Sequence, residues 1–217
     1  MKFDGLKQLN LNRKKPEQAR AVQTVEAIFE ATAQLVERGE NATTNRIAEH
    51  AGVSIGSIYQ YFPNGTAILA AMAERERGRV SEAIKGVLET LDPGDPEPAI
   101  RLALRTLLDA FSSRQKLRRK ILLSLLPVYA AEVHAHFLES VIVEISEVLR
   151  RRAQGRFRPL DGTAELVLGG AVLGAVRSAV LSEKQDLGDP LFEDELVRLV
   201  VGFLMIPADD RPACSAG

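Results

Sequence analysis

Residues 43–69 read TTNRIAEHAGVSIGSIYQYFPNGTAIL: two short helical patterns joined at a glycine and closed by an aromatic pair and a proline. Thr43 and Thr44 carry hydroxyls suited to accept hydrogen bonds from the orphan amides of a helix start, and Ile47 and Ala48 give that helix its apolar side. Gly52 ends it, because glycine enters the left-handed conformation at no steric cost. Ser54 is then placed to cap a second helix running through Phe62. Two helices this short, meeting over so tight a turn, constrain the chain to a helix-turn-helix.

At about 100° per residue, Ile58 and Phe62 share one face of the second helix, and Gly56, Ser57, Gln60 and Tyr61 are expected on the other. Tyr59 lies between the faces, so its ring can pack while its hydroxyl reaches a phosphate. The small Gly56 and Ser57 let a helix N-terminus approach a DNA groove, and Gln60 can offer paired hydrogen bonds to an adenine edge. Periodicity alone also fits an ordinary helical hairpin in a core, with Tyr59 and Tyr61 as half-buried packing residues.

The string GVSIGSIYQYFPNGTAIL, with Thr43, Thr44, Ile47 and Ala48 at the matching spacing upstream, resembles the recognition segment of the tetracycline-repressor (TetR) family of bacterial transcriptional regulators. The resemblance is strong over the N-terminal third and extends over the rest through length and helix pattern. It implies an all-α homodimer. Residues 1–64 would form an N-terminal arm and a three-helix DNA-binding domain, and a long helix would lead into an effector-binding and dimerisation bundle over 65–217. Carried over by position, the DNA-facing residues are Thr43, Thr44, Asn45, Arg46, Ser54, Ile55, Gly56, Ser57, Tyr59, Gln60 and Tyr61. One departure matters: where family members often carry a lysine that meets a phosphate, this chain has Gly65 and then Thr66. Asn64 remains a good cap for the fourth helix, and the Thr66 hydroxyl offers an uncharged phosphate contact with weaker salt dependence.

The formal net charge of −1 does not oppose DNA binding, because the charges are segregated. Lys2, Lys7, Arg13, Lys14, Lys15 and Arg20 outweigh Asp4 and Glu17 at the reader end, whereas residues 186–210 hold seven carboxylates against Arg198 alone. Arg13, Lys14 and Lys15 stand before the first helix, where an arm could touch phosphates or a minor groove; a solvated terminal charge run fits equally. No uncharged apolar run reaches about 18 residues, and residues 166–181 contain Arg177, so a buried helix, no membrane and a cytoplasmic location are expected.

The first helix is expected from Pro16 to Arg38 with Gly39 as its stop, turning Val22, Val25, Ile28, Phe29, Leu35 and Val36 toward the core. A fourth helix from Gly65 toward Leu91 carries Glu74, Arg75, Glu76, Arg77 and Arg79, read as a solvated face. DPGDPEP at 92–98 breaks the chain, a helix follows at 99–113, and the basic run Arg114–Lys120 reads as a solvated corner. Helical material over 117–152 must bend near Pro127.

In the family the resemblance points to, the inducer sits among these helices. That makes Leu104, Leu108, Phe111, Tyr129, His134, Phe137 and Arg177 candidate effector contacts; each also fits as a core or surface group. Arg177 can alternatively pair with Glu165, Glu144 or Glu147. Gly170, Gly174 and Ser178 form a small-residue stripe in residues 163–182, and Leu196, Val200 and Phe203 lie on an apolar stripe in residues 190–206. Two such helices per chain would make a four-helix dimer seam, or else the core of one monomer.

Enzyme chemistry finds no support. His134 and His136 are two residues apart and cannot chelate together on a helix, the sole cysteine is Cys214 in a Pro/Ala/Gly-rich tail, and no phosphate loop or nucleophile elbow occurs. No metal and no cofactor are expected. The partners expected are a double-stranded DNA operator, a second copy of the chain and an unknown small-molecule effector. The alternatives are a helix-turn-helix protein without an effector, such as an assembly or division factor, and a small helical enzyme with an appended DNA-binding motif.

Overall fold

The computed structural model describes residues 19–125, 143–152, 157–182 and 186–205. Pro16, the 13–15 basic cluster, Pro127, Tyr129, His134, Phe137 and Cys214 lie outside them. The described chain is all-α: α1 (Ala19–Glu37), α2 (Thr44–Ala51), α3 (Ile55–Tyr61), α4 (Gly65–Leu88), α5 (Glu97–Ser112), α6 (Gln115–Leu125), α7 (143–152), α8 (Gly162–Ser182) and α9 (Pro190–Leu204). Only isolated bridges, Asp92 with Asp95 and Phe157 with Met205, interrupt it. The elements divide into two compact units. One holds α1–α3, α4 up to Gly78, and α6; the other holds the rest of α4 with α5, α7, α8 and α9.

In the first unit, α1 and α2 end in the same way. Gly39 (φ 76°) donates to Val36 O while Glu40 N donates to Leu35 O; Gly52 (φ 64°) donates to Glu49 O while Val53 N donates to Ala48 O. Both are Schellman stops, in which a left-handed residue lets two amides turn back onto orphan carbonyls. Between these stops the apolar faces of α1–α4 converge: Ile28, Leu35, Ile47, Ile58, Phe62 and Ile68 are all but sealed from solvent. Each such side chain contributes roughly 1.5–3 kcal/mol by leaving water. Val22, expected to cover this core, is exposed, and Val36 faces a second cluster with Leu69, Ala70 and α6.

That second cluster corrects the reading of the basic run. Leu117, Ile121 and Leu125 recur every fourth residue along α6 and need cover, which α1 and α4 supply. The charges between them find acids there. Arg114 pairs with Glu30 at 3.1 Å, Lys116 Nζ donates to Glu37 O at 3.0 Å, and Arg118 pairs with Glu76 at 2.8 Å. Glu37 also accepts from Leu117 N at 2.9 Å, so an α1 carboxylate caps the start of α6. The charged face of α4 is likewise tied down: Arg75 pairs with Glu26 and lies 5.8 Å from the Phe29 ring centre.

In the second unit, α5 turns Ile100, Ala103, Leu104, Leu107 and Leu108 inward, and α9 packs on it through Leu196, Val197, Val200 and Leu204. Pro98 sits in the first turn of α5, and Pro190 opens α9 after the Asp189 cap; neither position needs an amide donor. The α5–α9 contact contains one buried acid. Glu193 accepts from Arg105 Nε at 3.0 Å, Arg105 Nη2 at 2.8 Å and Arg101 Nη1 at 3.3 Å. A fork of this kind satisfies a carboxylate that burial alone would penalise. It also raises the Arg105 pKa, chiefly through that hydrogen bond.

Leu196 and Val200, expected at the dimer seam, are placed differently by this packing. Leu196 and Val200 are core of one protomer, because the stripe they form is the one α5 covers. Leu104 and Leu108 are buried in the same contact, and Phe111 is half-buried. Phe203 is half-buried, with the Arg158 guanidinium 4.4 Å from its ring centre. On α8, a Cβ at Gly170 or Gly174 would meet nothing within 4 Å among the described residues, so no described helix of the second unit uses this stripe for close approach. Arg177 is half-buried; of its expected partners, Glu165 pairs with Arg150, and Glu144 accepts from Ser81 and pairs with Lys85.

Candidate nucleic-acid interface

The interface is built from caps. Thr43 is extended (φ −70°, ψ 154°), and its hydroxyl accepts from Arg46 N at 3.4 Å. Ser54 repeats this at α3: its Oγ accepts from Ser57 N at 3.0 Å and lies 2.8 Å from Ser57 Oγ. Asn64 Oδ1 accepts from Ala67 N at 2.9 Å and starts α4. Each helix therefore begins with one amide satisfied by a side chain and others free to meet an anion.

The outward surface of α2 and α3 follows from the core they cover. Thr43, Asn45, Arg46, Ser54, Ile55, Gly56, Tyr59, Gln60 and Thr66 are exposed, and Thr44 and Ser57 are half-buried. Thr44 Oγ1 lies 3.4 Å from Tyr59 Oη, tying the start of α2 to the middle of α3. Thus eleven of the twelve residues expected to face DNA retain exposure on one helix pair and the start of α4.

Tyr61 is the exception and a correction: it is only 9% exposed and belongs to the core with Phe62, 6.4 Å between ring centres. The reason is helical geometry. Residues three apart are separated by about 60° around the axis, so Tyr61 and Phe62 flank Ile58 on the inner face. Tyr59, one position beyond Ile58, is 43% exposed.

The sequence reading missed two polar features of this surface. Arg46 is ion-paired with Glu40, six residues earlier and across the turn that follows α1. Gln34 bridges α1 to α2: its Nε2 donates to Glu30 at 3.0 Å, and its Oε1 lies 2.9 Å from His50 Nε2. With the amide so oriented, His50 is the donor. Gln34 and Arg114 together hold the Glu30 carboxyl below its ordinary pKa, Gln34 contributing more. Neither pairing has a helical spacing, so only the stop after α1 brings the groups together.

Among the described residues no group of three or more His, Cys, Asp or Glu is placed to hold a metal ion. The surface offers hydrogen-bond donors, helix N-termini and Arg46, an arrangement that suits a polyanion.

Comparison with known proteins agrees with this geometry. Residues 28–72 match the model of the tetR family of bacterial regulatory proteins. The chain is 27% identical over 165 residues to the nucleoid occlusion factor SlmA of Vibrio campbellii, covering 71% of this chain and 81% of that protein. Its fold is similar to that of a TetR-family regulator from Mesorhizobium loti (TM-score 0.65, 17% identity, covering 87% of this chain and all of that one). The fatty acid degradation regulator FadR from Bacillus halodurans is also similar (TM-score 0.58, 22% identity, covering 86% of this chain and 96% of that one). The matched residues are those that form α2, α3, their caps and the core beneath them, so the region that builds this surface, residues 28–72, is that of the tetR family of bacterial regulatory proteins.

Proposed function

We propose that this protein is a cytoplasmic homodimeric repressor that reads a palindromic operator through α3 and releases it when a small molecule binds the C-terminal bundle, residues 65–217. The observation that carries the reading is the outward surface around Gly56. Among the described residues a Cβ there would meet only Ser54 Oγ, at 3.7 Å, so none of them requires glycine at this position. Glycine costs up to about 1 kcal/mol relative to alanine in a helix. Its use lies in letting something outside the chain come close, with Ile55, Tyr59 and Gln60 alongside to meet base edges and phosphates.

Two readers on half-sites require a two-fold partner, spaced by roughly 34 Å or a multiple of it. Leu166 (56% exposed), Val167 and Leu191 (72%) leave an apolar surface on α8 and α9, with Gly170, Gly174 and Ser178 along it, and a second copy of the chain fits this surface. Phe111 and Arg177, with Tyr129, His134 and Phe137 outside the described residues, are proposed effector contacts beside Leu104 and Leu108. The effector would act by binding better to a dimer whose readers are wrongly spaced.

The similarity to a nucleoid occlusion factor favours a second reading, a DNA-binding protein that responds to no small molecule. Selection of bound DNA from a random pool, followed by mobility shift and thermal shift against metabolite and drug-like panels, separates the two. A palindromic selected site and a compound that both stabilises the protein and releases DNA are expected. A selected site with no compound active in either assay would leave the second reading standing.

A further inference from the structure

Two residues beside the reader go against local rules, and they do so together. Arg46 lies in the first turn of α2, where the helix dipole disfavours a cation. Glu40 follows the Gly39 stop, a position that ordinarily takes an apolar residue packed back on the helix end. The Schellman bond from Glu40 N to Leu35 O fixes the backbone of Glu40 at 2.9 Å, and its carboxylate pairs with the Arg46 guanidinium. The two side chains keep 33% and 54% exposure, so the pair stabilises the fold little and exchanges readily. Arg46 is two residues from Thr44, whose hydroxyl meets Tyr59 of α3, and in a helix-turn-helix the helix before the reader crosses the phosphate backbone.

We propose that Glu40 sets the DNA affinity of this protein by occupying the Arg46 guanidinium in the free state, so that Arg46 reaches a phosphate only by exchanging one anion for another. This rests on the DNA-reading function above. The exchange weakens binding to every sequence alike, because a phosphate contact carries no base information. It leaves discrimination to the exposed positions of α3.

The test is a cycle of full-length wild type, Glu40→Gln, Arg46→Ala and the double variant. Each is titrated against a selected operator and a random-sequence duplex over a range of salt, with thermal melting as the check on folding. Glu40→Gln is expected to bind both duplexes at least roughly threefold more tightly at low salt, with a salt slope steeper by up to about 0.9, one phosphate contact. In the Arg46→Ala background the same substitution is expected to change nothing. A gain that persists without Arg46 overturns the proposal, since Glu40 would then act by general repulsion; an unchanged or weakened Glu40→Gln overturns it as well. Wild-type protein that retains neither duplex would overturn the DNA-reading function itself, and Glu40's role with it.

Discussion

Thr44 Oγ1 and Tyr59 Oη lie 3.4 Å apart, linking the first turn of α2 to the exposed edge of α3. Tyr59 is 43% exposed, and its hydroxyl stands beside the first turn of α2. Tyr59→Phe removes the hydroxyl and keeps the ring. Stability is expected to change by no more than about 0.5 kcal/mol, since the group is exposed. DNA affinity is expected to fall several-fold on operator and random duplex alike, as for any phosphate contact. Fluorescence anisotropy on both duplexes reads this directly.

Gly56→Ala separates folding from binding. Alanine is expected to stabilise the first unit by about 0.5–1 kcal/mol in urea unfolding, because its Cβ meets no obstacle. Operator affinity is expected to fall. Unchanged affinity would mean that nothing approaches α3 closely at this position.

Gln60 and Tyr61 are neighbours with opposite roles. Tyr61→Ala is expected to cost about 3 kcal/mol of stability by opening a cavity beside Phe62 and Ile58. Gln60→Ala is expected to leave the melting temperature in place and relax base preference at one operator position. A uniform loss of affinity with preference intact would remove Gln60 from base reading.

Glu193→Ala removes the α9 partner of Arg105 at the α5–α9 contact, while Arg101 keeps Asp194 and Glu97. The expected loss is about 2 kcal/mol, below the range for fully buried pairs because Arg105 is more than half exposed. Urea denaturation of Glu193→Ala beside Glu193→Gln measures it, the glutamine keeping part of the hydrogen bonding.

Glu30 predicts a pH dependence. Its folded pKa is below the ordinary 4.5, so its contribution is present above that value and is lost as pH falls through the folded pKa. Melting temperatures taken from pH 6 down to about pH 3 are expected to fall less steeply for Glu30→Gln than for wild type, the size limited by solvent screening. Parallel curves for the two proteins would show that Gln34 and Arg114 do not hold the carboxylate.

The helix-turn-helix was legible because its signals are local. Thr43, Ser54 and Asn64 cap the helices that follow them, Gly39 and Gly52 adopt the left-handed stop, and Ile58 and Phe62 are buried, all as their positions in the chain dictate. Caps and stops act over fewer than six residues, and the apolar period fixes which side is covered. Tyr61, expected outward, is buried because it stands three residues from Ile58 and so shares its inner face.

What the sequence determined alone is therefore the helix caps, the two glycine stops and, Tyr61 apart, the reader's outward residues, since each rests on bonds or periods within a few positions. Tertiary structure decided the rest. It placed the basic run of α6 on α1, brought Glu40 to Arg46 and Gln34 to His50, and gave the Leu196 and Val200 stripe to α5 within one protomer. An apolar stripe specifies that it must be covered and not by what; the partner is chosen by the geometry with which helices distant in sequence meet.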